Sequence, residues 1–305
     1  MNRHLLPGCV AIGIFALLGA CAEDAFVSYD HLPKLVVQGR LSPDTSFQIS
    51  ITSSLSPVDP GEYIIPENMA VSLISSTGSV VDLYRENNLY VDPQAYPIAG
   101  ESYFLIISAP GYARVEAQTS IPQSVQLAGT SKIANLRFVE SEMTPDKMNL
   151  TYDLILDFMP DFDPHDKFFH FIFVQTTSIN AGTATEPDIQ EIAYYINPQF
   201  PDEDGFYQQH ETGVLIDAEK TGASHSLAFS FVDYTLGDDE ELGNLFIEVR
   251  TVTEEYYQYH TSLSRQLISR DDPFAEPIPV FNNVRDGSGN FSGFSRLVYQ
   301  IPVVP

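Results

Sequence analysis

The chain has 305 residues, of which 41 are Asp or Glu and 15 are Lys or Arg, giving a formal net charge of −26. A surface this negative repels phosphate backbones and anionic headgroups, which sets nucleic-acid binding aside. With 44% hydrophobic residues the chain is not disordered along its length, and 20 Phe with 16 Tyr favour strands.

Residues 1–20, MNRHLLPGCVAIGIFALLGA, begin with Arg3 and His4, run through an apolar stretch from Val10 to Leu18 and end in small residues. That is the three-part layout of a secretory signal. The apolar run is shorter than the roughly 20 residues a membrane helix needs, so cleavage is expected rather than retention as an anchor. The only cysteines are Cys9 and Cys21. Leu18-Gly19-Ala20-Cys21 resembles the bacterial lipoprotein box, in which the cysteine sulfur is acylated and the signal is cut before it. One acyl chain anchors marginally and several anchor firmly, so Cys21 is read as the lipid attachment point and not as a nucleophile or ligand. With Cys9 in the signal and Cys21 acylated, no thiol is left to form a disulfide or a zinc site.

Residues 21–33 read as a lipidated tether that reaches up to roughly 40 Å when extended. From residue 34 the apolar period becomes two. Leu35–Val37, Phe47–Ile51, Val71–Ile74, Val80–Tyr84 and Tyr103–Ile107 are β-prone runs separated by Pro, Gly and Asp turns. They predict an immunoglobulin-like or transthyretin-like β-sandwich over 34–122. A second β-rich, sandwich-like domain is expected over 123–305, with strands at Met148–Phe158, Phe168–Thr177, Val214–Asp217, Leu227–Val232 and Leu245–Thr251. The fold class is therefore all-β, with one substantial helix at about 253–269. That helix opens on Thr253 as N-cap, with Glu254 and Glu255 in its first turn. Tyr256, Tyr259, Leu263 and Leu267 fall on one face, expected to pack on a sheet. After it, Pro273, Pro277 and Pro279 rule out helix, and Gly287, Gly289 and Gly293 suggest extended chain that closes a sheet edge and then turns sharply.

Taken together, the lipobox, PKLVVQGRLSPDTSFQISITSSLSPVDP, the APGY and VEAQTSIP stretches and DDPFAEPIPVFNNVRDGSGNFSGFSR after a Tyr-rich helix resemble the DUF4249 lipoproteins of Bacteroidota. The resemblance implies a lipid-anchored outer-membrane protein of unknown biochemical function, at the cell surface or on the periplasmic face. It also implies a partner: genes of this family often lie beside one for a TonB-dependent outer-membrane transporter. Glu23 and Asp24 behind Cys21 are similar, in part, to the signal that sends such lipoproteins to the outer leaflet. The family has no catalytic residues to carry over.

Motifs for chemistry are sparse. Gly287-Ser288-Gly289 lacks the spacing of a nucleophile elbow. His165, His170, His210, His225 and His260 are scattered, with no H-E-x-x-H, and no phosphate-cradling glycine loop is present. Asp161, Asp163 and Asp166, and again Asp202, Glu203 and Asp204, place oxygen ligands at short spacing. Neither run follows the EF-hand order, and solvated acidic loops are the expected reading. Another such loop is Gly237-Asp238-Asp239-Glu240-Glu241. No metal, cofactor or catalytic residue is assigned, and Asp161 and Glu254 are neither nominated nor dismissed as glycosidase-type acids. The expected function is a non-catalytic accessory or ligand-capture module of a transporter or other surface complex. The alternatives are a structural or adhesive surface protein, or a hydrolase of glycans or peptides with its site in the second domain.

Overall fold

The computed structural model describes residues 31–56, 61–140, 148–157, 167–181, 188–199, 206–208, 212–221, 226–235, 240–270 and 274–303. The signal, Cys21 and most of the tether lie outside them, as do His165, His210, His225, the acidic runs 161–166 and 201–205, and residues 237–239 of the third acidic loop. The fold is β-rich with one substantial helix, as the sequence predicts. No helix among the described residues is long and apolar enough to cross a membrane.

The first seven strands are β1 (Leu35–Leu41), β2 (Phe47–Ser53), β3 (Ala70–Ser75), β4 (Val80–Glu86), β5 (Leu89–Asp92), β6 (Ser102–Ser108) and β7 (Val115–Ser120). In β1 and β2 burial alternates strictly, so Leu35, Val37, Phe47, Ile49 and Ile51 face the core and Gln38, Arg40, Gln48 and Ser50 face away. Strand β4 turns the corner: Val80–Leu83 pair with β3, while Tyr84–Glu86 pair with β5. The sheet thereby folds over on itself, and residues of β1 and β2 share one core with Val71, Leu73, Leu105 and Val115.

The remaining strands are β8 (Lys132–Glu140), β9 (Met148–Asp157), β10 (Phe168–Asn180), β11 (Ile189–Ile196), β12 (Phe206–Gln208), β13 (Val214–Asp217), β14 (Ser226–Thr235), β15 (Glu240–Val252) and β16 (Ser288–Pro302). Helix α1 is the short Ala218–Thr221 and α2 is Glu254–Ser269. A three-stranded sheet, β14-β9-β8, covers one face of β10 and β15. Between these layers Phe169, Phe171 and Phe173 of β10 meet Phe229 and Phe231 of β14, with edge-on contacts of Phe173 to both at 5.1 Å.

A single hydrogen-bonded path runs β12-β13-β10-β15-β16-β1-β2-β5-β4-β3-β6-β7, so β16 lies in the middle of the large sheet. Its first part runs parallel to β1, from Val36↔Ser288 to Leu41↔Gly293, and its second part runs antiparallel to β15, from Val252↔Phe294 to Asn244↔Pro302. The expected edge segment with a sharp glycine turn is thus an interior strand that begins one residue after Gly287. The glycines serve close approach instead. A Cβ on Gly293 would sit 2.0 Å from the Ser120 carbonyl oxygen, and one on Gly39 would sit 2.8 Å from the Phe291 ring. Phe291, fully buried, and Val284 complete the core of the N-terminal strands. Burial of a Phe side chain contributes about 1.5–3 kcal/mol, so this C-terminal segment is a real part of that core's stability.

Candidate functional site

Period-two alternation along β16 puts Phe291, Tyr299 and Ile301 on the side of the two cores, and Asn290, Ser292, Phe294, Arg296 and Val298 on the other. The same rule places Gln38 and Arg40 of β1, Glu248 and Arg250 of β15, and His170 of β10 on that outer face. Helix α2 roofs part of it. Thr253 caps the helix, its hydroxyl accepting from the Tyr256 amide at 3.4 Å and from the Gly293 amide at 3.4 Å, while its own amide donates to the Gly293 carbonyl at 3.1 Å. The helix start is therefore fixed to the point where β16 changes partner. The buried helix residues are Tyr256, Tyr257, His260, Thr261 and Ser264, a stripe rotated from the one the sequence suggests. Tyr256 packs on the sheet as expected. Tyr259 instead stands half-buried at a cleft, where its hydroxyl accepts from Gln38 Nε2 at 2.8 Å.

Under the helix a polar chain is laid down in one direction. His170 Nε2 lies 3.1 Å from the Thr212 carbonyl, which can only accept, so Nε2 carries the proton. Burial, with the Arg250 charge adding to it, pushes the His170 pKa down to about 3, so the ring is neutral and Nδ1 accepts. The Tyr256 hydroxyl donates to it at 2.9 Å and in turn accepts from Arg250 Nη1 at 3.1 Å. Arg250 is held from its other side by Glu248 at 2.6 Å, and Arg296 joins Glu248 at 3.4 Å to Asp44 at 2.9 Å. The Arg250 guanidinium lies over the Phe294 ring, 4.8 Å from its centre. His260 also packs against Tyr256, ring centres 4.3 Å apart, and burial, then Arg40 and Arg250, push its pKa down to about 3 as well.

These groups border two hollows. The larger, of about 570 Å³, lies between the outer faces of β1, β2 and β16 and helix α2, and is lined by Gln38, Arg40, Gln48, Tyr259, Asn290 and Phe294 among others. The smaller, of about 270 Å³, lies beside it and shares Arg40 and Arg250 while adding His170 and Glu248. Asn290 is 1% exposed, its Nδ2 donates to the Ser292 hydroxyl at 2.9 Å, and its Oδ1 has no hydrogen-bond partner among the described residues.

A family model, "Domain of unknown function (DUF4249)", matches residues 23–299. The chain belongs to the DUF4249 family. A search of curated proteins returns no match. The DUF4249 match runs through both cores and nearly to the end of β16, so every residue that lines the cleft lies inside the family's shared region.

Of the histidines singled out in the sequence, the structure brings His170 and His260 both against the Tyr256 ring. Among the described residues no group of three or more His, Cys, Asp or Glu side chains is placed to hold a metal ion. Glu254 is exposed at the first turn of α2, where its carboxylate accepts from Gln258 at 2.7 Å. Sequence reading missed Gln38, Arg40, Arg250 and Asn290. Their only local signal is that each sits on the outward phase of a strand, which is where polar residues ordinarily stand.

Proposed function

We propose that this DUF4249 chain is a non-catalytic binding protein of the Bacteroidota outer membrane. Acyl groups on Cys21 hold it there, and it serves as an accessory or capture module for a TonB-dependent β-barrel transporter or another surface complex. The observation that carries the reading is the helix-roofed cleft of about 570 Å³ where β1, β2 and β16 meet α2. Its size falls in the range of small-ligand sites, and its walls offer guanidinium, amide and phenol groups suited to recognition. The two buried histidines beside it are neutral and engaged with neighbouring rings, a role in holding the wall rather than in moving protons.

The test is recovery of the native chain from detergent-solubilised outer membranes with an affinity tag, followed by identification of what comes with it. A β-barrel transporter is expected in the eluate, and Cys21→Ser should release the chain from the membrane fraction. Recovery of wild-type chain with no β-barrel protein, or a Cys21→Ser chain that still sediments with membranes, would count against the proposal.

A further inference from the structure

The outer face of β1 offers a cation without a partner. Arg296 is paired with Asp44 and Glu248, Arg250 with Glu248, Arg285 and Arg114 with Glu116, Lys167 with Glu219 and Lys220 with Asp217. Arg40 is exposed, lines both hollows, and has no ion pair or hydrogen bond among the described residues. In a chain with 41 acids and 15 basic residues, a guanidinium left unpaired at a concave site is unexpected. On the strand paired with β1, opposite Gln38 and two residues along from the position opposite Arg40, Asn290 keeps a buried amide oxygen unsatisfied, which is costly unless something completes it. Gln48 of β2 faces the same space, and Gln38 gives only its amide nitrogen, to Tyr259. The rest of the wall sets the apolar Leu89, Leu263 and Phe294 beside Thr45, Ser50, His260 and the already paired Arg250.

We infer that this cleft binds an organic ligand carrying one carboxylate, with Arg40 as the anion's anchor, the amides of Gln38, Gln48 and Asn290 as partners for its polar groups, and Leu89, Leu263 and Phe294 against its body. One net positive charge matches a monoanion. A phosphate-type dianion would be under-compensated, because Glu248 already neutralises Arg250 and the chain as a whole is strongly negative. A simple inorganic ion would leave most of a 570 Å³ space unfilled. The guanidinium of Arg40 is suited to a bidentate pair with a carboxylate. Two sources supply such a ligand, a peptide with a free C-terminus and a uronic-acid saccharide, and they share the recognised chemistry.

This inference rests on the capture reading, and its test separates the two. The full lipidated chain in detergent is titrated by calorimetry with N-acetylated tetrapeptides bearing free or amidated C-termini, and with uronic-acid disaccharides beside their neutral counterparts. At least one acid is expected to bind, about tenfold or more tighter than its uncharged twin, the scale of a charged hydrogen-bonded pair. Arg40→Gln is expected to abolish that preference. Arg137→Gln, an exposed arginine on the separate three-stranded sheet, should leave it unchanged. Binding of acids and neutral twins alike, equal preference in Arg40→Gln, or no binding by any probe overturns the inference. If the β-barrel still co-purifies in those cases, the accessory reading stands without it.

Discussion

Replacing His260 by Gln should change how stability depends on pH. His260 is buried between Tyr256 and Tyr259, with ring centres 4.3 and 5.3 Å away, and burial with the charges of Arg40 and Arg250 pushes its pKa from 6.5 to about 3. The folded ring thus stays neutral where the unfolded chain takes up a proton. Stability from this residue is independent of pH above 6.5 and is lost as pH falls from 6.5 toward 3. Each pH unit in that window removes about 1.4 kcal/mol, so at pH 4.5 the neutral histidine has lost the fold about 2.7 kcal/mol. His170 behaves in the same direction and is present in both proteins, as are the lowered carboxyl groups of Asp153 and Asp157, so the comparison isolates one ring. The assay is urea unfolding of wild type and His260→Gln at pH 7.5 and pH 4.5. The wild type should lose about 2.7 kcal/mol more than the variant between the two conditions. Parallel losses, within about 0.5 kcal/mol, would refute the reasoning, since they would mean that the folded ring accepts a proton as readily as the unfolded one.

Tyr256→Phe leaves His170 Nδ1 and Arg250 Nη1 each without the hydroxyl between them, and should cost about 1–3 kcal/mol in chemical denaturation. A loss under about 0.5 kcal/mol would show that water replaces the hydroxyl without penalty. Phe291→Ala removes a ring from the N-terminal core by way of a C-terminal strand, and should cost about 3–5 kcal/mol in one cooperative transition followed by circular dichroism. Stability close to wild type would mean that the N-terminal strands hold their core without β16.

The strands whose apolar residues alternate over a half-buried face are legible in the sequence: β2, β3 and β6 end within two residues of the predicted runs, β1 starts where predicted and runs on to Leu41, and the fully buried β13 matches its run. Helix α2 is legible as well, because Thr253 and the two glutamates that follow mark its start. Strand β16 is not, because Gly289 and Gly293 look like turn residues until the carbonyls of Val37 and Ser120 are seen where their side chains would be. Strands β8 and β11 escape notice for a different reason, being mostly exposed or half-exposed, so their patterns lack a buried face. The cleft is invisible for a reason of topology. Gln38, Arg250, His260 and Asn290 come from four elements spread over most of the chain, and only parallel pairing of β1 with β16 makes them neighbours.

That pairing also sets the tempo of folding. Among the described strands the first and the last lie side by side, so the long chain between them must close into a loop before the N-terminal core, which takes in Val284 and Phe291, is sealed, and such closure is slow. Every other described strand leaves the ribosome before β16 does. Until then the greasy inner face of β1 stands open, a period of exposure in which a holding chaperone would have its natural target.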